Sequence, residues 1–121
     1  ARLCYRHLAG HVGVAWAEAL QQRGYLGGHG ADMQLTGSGR GALRKAGLLS
    51  GEDEFGRLGA KPCLDWTERR HHLAGPLANA LTQRMLERRW LLRSKQSRVL
   101  LPTAEGERAL RRLGVALTRQ R

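Results

Sequence analysis

The chain has 121 residues, with 21 Lys and Arg against 10 Asp and Glu, and a formal net charge of +11 at pH 7. A hydrophobic fraction of 41% and a charged fraction of 26% predict a folded, water-soluble protein and exclude a disordered one. Its apolar runs stay far below the roughly 20 residues that span a bilayer, and two cysteines are too few for a disulfide scaffold. We therefore expect a cytoplasmic protein that does not engage a membrane.

The first third of the chain predicts two helices separated by a hairpin. Apolar residues recur every four positions at Leu8, Val12, Trp16 and Leu20, which predicts a helix over 5–23. A short hairpin around 25–35 and a helix over 36–46 follow. The acidic segment that begins at Ser50 is typical of a capped helix start, and this short connecting helix is predicted to end at Lys61-Pro62.

The second part predicts a helix-turn-helix followed by a charged hairpin. Leu73, Leu77, Leu81 and Met85 form a four-residue apolar stripe, so we predict a short helix over 65–73, a tight turn at Gly75 and a helix over 76–89. Two apolar runs around a polar tip predict a hairpin over 90–101. Thr103 is the expected N-cap of a last helix that carries Glu105 and Glu107 in its first turn and ends at Gly114.

The sequence repeats itself. His7-Leu8-Ala9-Gly10 recurs 65 residues later as His72-Leu73-Ala74-Gly75, and Thr36-x-x-Gly39 recurs as Thr103-x-x-Gly106. This predicts a duplicated supersecondary unit, with a first copy over 1–49, a connector over 50–62 and a second copy over 63–121. The expected fold class is mainly α with small β-hairpins (α+β), arranged as tandem winged-helix-like repeats.

The positive charge belongs to the second copy. Residues 1–58 hold 7 basic and 5 acidic residues, whereas residues 59–121 hold 14 basic and 5 acidic residues. Such an asymmetric field favours an anionic partner, and double-stranded DNA is the expected one. A merely solvated basic surface is the alternative.

Several motifs carry a family resemblance. The stretch from Leu86 through the hairpin to Gly106 resembles a bacterial winged helix-turn-helix repressor. Cys4-Tyr5-x-His7-Leu8-Ala9-Gly10, together with the run from Cys63 through Asp65-Trp66-Thr67-Glu68-Arg69-Arg70 to Gly75, resembles the C-terminal part of a group of ArsR-type transcriptional regulators. The resemblance implies a DNA-binding regulator whose principal winged helix lies upstream of these motifs. We accordingly expect this chain, which starts at Ala1, to be a fragment.

The helix over 76–89 and the hairpin after it supply the candidate DNA-binding residues. Amide and guanidinium groups on the helix can make paired hydrogen bonds to base edges, and the hairpin cations can contact phosphates. The candidates are Asn79, Thr82, Gln83, Arg84, Arg88, Arg89, Arg93, Lys95 and Arg98. A solvated helix face is the alternative for the helical ones. The first copy has Val14 and Glu18 where the second has Asn79 and Gln83, so the first copy is expected to be structural.

Two further functions remain open beside the leading one, which is a DNA-binding regulator. The chain is alternatively a dimerisation or effector-sensing module whose main DNA-binding domain is missing upstream. Leu86 and Trp90, expected on the outside of their helix, favour contact with the other copy or a homodimer. A small molecule or a metal is the effector such a module would sense.

Metal sensing is the third hypothesis. If the copies are related by a pseudo-two-fold axis, Cys4, His7, Cys63 and His72 converge on a tetrahedral site. Otherwise the cysteines are small buried hydrophobes and the histidines are hydrogen-bonded residues at helix starts. No cofactor is predicted. Asp65 is more simply an N-cap than an acid–base group, and no nucleophile is placed beside it, so we expect no enzyme.

Overall fold

The computed structural model describes residues 2–4, 7–50, 57–65, 68–95 and 98–117, with only the backbone for Arg2, His7 and Ala31. The first half of the chain, up to residue 50, forms two hairpins and two helices. In order these are β1 (Arg2–Cys4), β2 (His7–Ala9), α1 (Gly10–Gln22), β3 (Leu26–Gly27), β4 (Gln34–Leu35) and α2 (Gly37–Ala46). A single 3-10 turn over Gly30–Asp32 lies between β3 and β4.

The second half of the chain, from residue 57 onwards, has the same order of elements. These are β5 (Lys61–Asp65), β6 (Arg70–Ala74), α3 (Pro76–Glu87), β7 (Leu91–Arg93), β8 (Leu100–Pro102) and α4 (Ala104–Arg112). Each hairpin is an antiparallel two-stranded sheet. The described residues thus form a mixed fold of four α-helices and four small hairpins, which agrees with the expected α+β class. We call the β7–β8 hairpin the wing.

The later elements of the second half confirm their predictions. α3 lies within the helix predicted over 76–89, with Pro76 in its first turn. The wing coincides with the predicted hairpin. Thr103 caps α4, whose first turn holds Glu105 and Glu107. The predicted connecting helix after Ser50 falls mainly on residues 51–56, which lie outside the described residues, and Lys61-Pro62 begins β5 instead of ending a helix.

The predicted helix over 65–73 is wrong, and with it the helix-turn-helix. Residues 61–65 and 70–74 pair as an antiparallel hairpin in which Cys63 stands opposite His72. Leu73 and Leu77 are four residues apart, yet they belong to different elements. Gly75, at φ 93°, lies between them and separates the end of β6 from the start of α3. The four-residue stripe was therefore part strand and part helix.

The first half departs from its prediction in the same way. α1 begins at Gly10, not near residue 5, and residues 7–9 form strand β2. Gly10 has a φ of 76°, as its counterpart Gly75 has a positive φ, a backbone region that L side chains seldom adopt. Both glycines mark a sharp change from strand to helix, so the histidines of the repeated motif belong to strands and not to helix starts.

The two halves share one core because their elements pack across each other. α1 packs mainly on β6 of the second half, α3 packs on β2 of the first half, and β2 and β6 lie next to each other. A single cluster of buried apolar residues draws on both halves, and its fully buried leucines include Leu20, Leu43, Leu77, Leu91 and Leu110. Either half alone would leave many of these apolar side chains exposed to water, so the hydrophobic effect favours the packing of the two halves against each other.

Backbone hydrogen bonds join each half to a hairpin of the other. The Leu3 N–H donates to the Arg98 carbonyl across 2.9 Å, and the Ala60 N–H donates to the Met33 carbonyl across 2.8 Å. Arg98 and Met33 are 65 residues apart, the spacing of the sequence repeat. The wing, which follows α3, is thus tied to β1, and the β3–β4 hairpin, which follows α1, is tied to the segment just before β5.

The repeated threonines are N-caps. The Thr36 hydroxyl accepts a hydrogen bond from the Gly39 N–H at 3.0 Å, and the Thr103 hydroxyl accepts one from the Gly106 N–H at 2.9 Å. Each hydroxyl also donates to a carbonyl just before its hairpin, that of Gly24 or Arg89, across 2.7 Å. One side chain therefore fixes both the start of the helix and the base of the preceding hairpin.

The repeated glycines allow a close approach of the last helix in each half. A Cβ at Gly39 would overlap the Tyr25 carbonyl, and a Cβ at Gly106 would overlap the Trp90 carbonyl. These same carbonyls accept the N–H of Thr36 and Thr103. The Thr-x-x-Gly spacing thus reflects the cap and the close packing of the helix that follows. In the described part of the chain, the helices lack the combination of length and apolar character that a bilayer-crossing segment requires.

Replacement of either repeated glycine by alanine is expected to destabilise the fold. Gly39→Ala and Gly106→Ala should each lower the free energy of unfolding by about 1–3 kcal/mol, because backbone must move to admit the methyl group. Chemical denaturation followed by circular dichroism measures this loss. Gly41→Ala is the matched control, since its Cβ meets nothing within 4 Å, and it should raise stability by about 0.5–1 kcal/mol. Equal effects at Gly106 and Gly41 would contradict the packing argument.

Candidate functional site

The face of α3 predicted to read bases is partly engaged within the protein. Thr82 is 3% exposed; its hydroxyl accepts a hydrogen bond from the Leu8 N–H at 3.0 Å and donates to the Ala78 carbonyl at 2.8 Å. This residue ties β2 to α3 and has no surface to offer DNA, so its assignment as a DNA contact is corrected. Asn79 is half-buried, and its buried Oδ1 lacks a hydrogen-bond partner among the described residues.

The other two helical candidates differ in exposure. Gln83 is exposed, and its amide lies 3.4 Å from the Glu87 carboxylate. Arg84 is half-buried: it donates to the Leu48 carbonyl at 3.2 Å, and its Nε lies 3.4 Å from Glu87. Arg84 therefore holds α3 against the chain that follows α2. The sequence could not show this, because Leu48 is 36 residues away.

The remaining candidates form an exposed set of cations at the end of α3 and on the wing. They are Arg88, Arg89, Arg93, Lys95 and Arg98. Arg89 adopts a φ of 59° at the tight turn that leads into the wing. Among the described residues, none of the five takes part in a salt bridge. We call these five residues the basic cluster; their charge is not neutralised by an acidic neighbour in the part of the chain that is described.

The wing also carries an apolar outer face. Leu92 stands directly opposite Leu101; both are exposed, Leu101 to 55%, as is the nearby Val99. Trp90, expected on the outside, is 3% exposed and belongs to the shared core, and Leu86 packs against that core. Leu86 and Trp90 thus pack into the core that both halves share, and the exposed apolar residues lie on the two strands of the wing itself.

The duplicated Cys/His motif brings three of its four candidate ligands together. Cys4 stands opposite His7 in the first hairpin, as Cys63 stands opposite His72 in the β5–β6 hairpin. One ligand atom each of Cys4, Cys63 and His72 lies within 4.8 Å of the others. The cysteines are half-buried and His72 is 1% exposed. The side chain of His7 lies outside the described residues.

Asp65 is the centre of the polar interactions beside this cluster. Its carboxylate accepts hydrogen bonds from the Gly10 N–H at 2.6 Å and the Glu68 N–H at 3.1 Å, and it lies 3.0 Å from His72 Nδ1. Burial opposes ionisation, but these interactions outweigh it and hold the pKa of Asp65 below its ordinary value. The expectation that Asp65 is the N-cap of a helix starting at residue 65 is wrong, because Asp65 ends strand β5. Its carboxylate instead binds the N–H of Gly10, the first residue of α1 in the other half.

The two sulfurs influence each other. Burial is the first cause that raises the pKa of the Cys63 thiol, and the neighbouring Cys4 adds to it through charge repulsion and a hydrogen bond. A raised pKa keeps the Cys63 thiol protonated and weakly nucleophilic in the isolated chain. The raised pKa therefore argues against a role for Cys63 as a catalytic nucleophile.

A groove lies between α2 and α4. Its volume is about 430 Å³, and Tyr25, Lys45 and Arg112 contribute its polar lining. Ala42 and Ala109 face it from the two helices, and they are equivalent positions of the repeat, 67 residues apart. The two cations favour an anionic occupant over a neutral one.

The chain is similar to a protein of Bacillus subtilis (strain 168) described as an uncharacterized HTH-type transcriptional regulator, YdfF. The two are 41% identical over 108 residues, which is 88% of this chain and 48% of that protein. The chain therefore spans about half the length of the relative it matches. No protein-family model matches the chain, and no solved structure matches it.

Removal of the Asp65 carboxylate is expected to cost much more than removal of an exposed ion pair. Asp65→Ala leaves the Gly10 N–H and the His72 ring without this buried partner, so the free energy of unfolding should fall by about 3–5 kcal/mol. Urea denaturation measures the loss. Glu18→Gln, which breaks the exposed Arg70–Glu18 pair, is the control and should cost under about 1 kcal/mol. Similar losses in the two variants would contradict a central role for Asp65.

Proposed function

We propose that this chain is the C-terminal part of a DNA-binding transcriptional regulator of the ArsR type, with its basic second half directed at nucleic acid. The observation that carries the proposal is the basic cluster, whose cations are all exposed. The similarity to YdfF supports it, because that relative is described as an HTH-type transcriptional regulator. In this proposal the copies over 1–49 and 63–121 are winged-helix-like units in the limited sense of a helix, a hairpin and a second helix.

The contacts we propose are to phosphates and not to bases. Thr82 and Arg84 hold α3 in place from within the protein, which leaves Gln83 as the one exposed member of the helical candidates. Arg and Lys side chains on a projecting hairpin can neutralise phosphates without reading sequence. We assign sequence reading to the winged helix that the family resemblance places upstream, and a positioning role to this chain.

A salt series with duplex DNA tests the proposal. The logarithm of affinity should fall linearly with the logarithm of salt concentration, by about 0.9 for each phosphate contacted. The triple variant Arg93→Ala, Lys95→Ala, Arg98→Ala should lower affinity and reduce that slope by about 2–3. Fluorescence anisotropy with a labelled duplex measures both quantities.

A control with the same change in charge separates a local contact from a general field. Arg23, Arg44 and Lys45 are exposed cations of the first half, and their triple replacement by alanine removes the same three charges. This variant should keep the salt slope of the unaltered chain. A flat salt dependence, or equal effects of the two triple variants, would rule out the basic cluster as the DNA surface.

Self-association is a second candidate function, favoured by the outer face of the wing. Leu92 and Leu101 form a directly opposed, exposed apolar pair, and burial of such a pair against a second copy would remove apolar surface from water. The apolar pair and the buried residue Leu100 lie on opposite faces of the hairpin, so this contact would leave the shared core undisturbed.

Sedimentation velocity at high chain concentration tests self-association. We expect a dimer for the unaltered chain and a monomer for Leu101→Glu, because the carboxylate would have to be buried at the contact. Leu64→Glu is the matched control, since Leu64 is also exposed but belongs to β5, and it should remain dimeric. A monomer at every concentration would refute the candidate.

A further inference from the structure

We propose that Cys4, Cys63 and His72 form a binding site for one thiophilic divalent metal ion, with Zn²⁺ as the reference ion. The site joins the two halves of the chain, since Cys4 ends β1 while Cys63 and His72 face each other across the β5–β6 hairpin. This inference is independent of the proposed contact with DNA.

The distances suit tetrahedral coordination after a small contraction. The three ligand atoms lie within 4.8 Å of one another. A zinc ion about 2.3 Å from each sulfur and about 2.0 Å from a ring nitrogen places its ligand atoms about 3.5–3.8 Å apart. The half-buried cysteines need to move inwards by roughly 1 Å at most, which rotation of a side chain about one bond can supply.

The Asp65 carboxylate orients the histidine ligand. It lies 3.0 Å from His72 Nδ1, and its other hydrogen bonds come from backbone N–H groups of Gly10 and Glu68. An Nδ1–H donated to a carboxylate leaves the lone pair on Nε2, the nitrogen that then binds metal, and metal-binding histidines commonly have such a partner. The carboxylate thus has a role at the site as well as at the start of α1.

The donor set selects the class of metal. Two thiolates and one imidazole are soft to intermediate ligands that favour Zn²⁺ over Mg²⁺ or Ca²⁺, which prefer oxygen. Three protein ligands leave one coordination position for water or a small ligand, as in zinc sites that exchange a ligand. The half-buried cysteines give an ion access from solvent, while the buried His72 anchors it.

Titration of the reduced, metal-free chain tests the site. Zn²⁺ should bind with one ion per chain and raise the thermal midpoint, because an ion held by both halves stabilises the folded state. Co²⁺, used as an optical probe, should give the visible bands of a tetrahedral ion and a sulfur-to-metal charge-transfer band. Cys4→Ser and Cys63→Ser should each weaken Zn²⁺ binding by about 100-fold or more, and Asp65→Asn by about 10–100-fold.

Neighbouring histidines provide the matched comparison. His72→Gln removes the imidazole ligand and should weaken Zn²⁺ binding. His71→Gln, at an exposed position on the same strand, should leave Zn²⁺ binding unchanged. Cys4→Ser keeps the test decisive if His72→Gln does not fold, since Cys4 is only half-buried. The proposal is overturned by the absence of a sulfur charge-transfer band, by unaltered Zn²⁺ affinity in both cysteine variants, or by a Cys4–Cys63 disulfide whose reduction restores no metal binding.

Discussion

A single buried carboxylate links the main parts of this fold. Asp65 accepts a hydrogen bond from the first residue of α1, closes the turn of its own hairpin through Glu68, and pairs with His72. A buried acid is costly unless it is fully hydrogen-bonded, so these partners must be in place together. The position of α1 relative to the β5–β6 hairpin, and with it the shared core, depends on this one side chain.

The duplication is expressed as packing between the halves and not as two separate units. α1 lies on β6 while α3 lies on β2, and the backbone of each half bonds to a hairpin of the other. The Thr-x-x-Gly motifs set the last helix of each half against an aromatic residue's carbonyl. Because the two halves exchange contacts in this way, their equivalent residues meet near the centre, and Cys4 comes to lie beside Cys63.

The basic cluster and the Cys/His cluster occupy different parts of the molecule. The basic cluster projects from the end of α3 and the wing, where its charges remain in solvent. The Cys/His cluster lies where the halves join, next to the carboxylate that positions α1. An ion bound there would stabilise the junction between the halves, and the wing is fixed to the same junction through the Leu3–Arg98 hydrogen bond.

The sequence alone determined the wing, α3 and the Thr103 cap, because periodicity and capping act within a few residues. It also determined the duplication and the concentration of charge in the second half, since both can be read directly from the order and composition of the residues. The prediction of a helix over 65–73 failed because Leu73 and Leu77 have helical spacing, although Gly75 separates a strand from a helix between them. Only the tertiary structure decided that Thr82 and Arg84 face the first half, that Trp90 is buried, and that Asp65 binds the first N–H of α1. These contacts join residues 36 to 74 positions apart, and no local pattern encodes them because they arise from how the two halves pack.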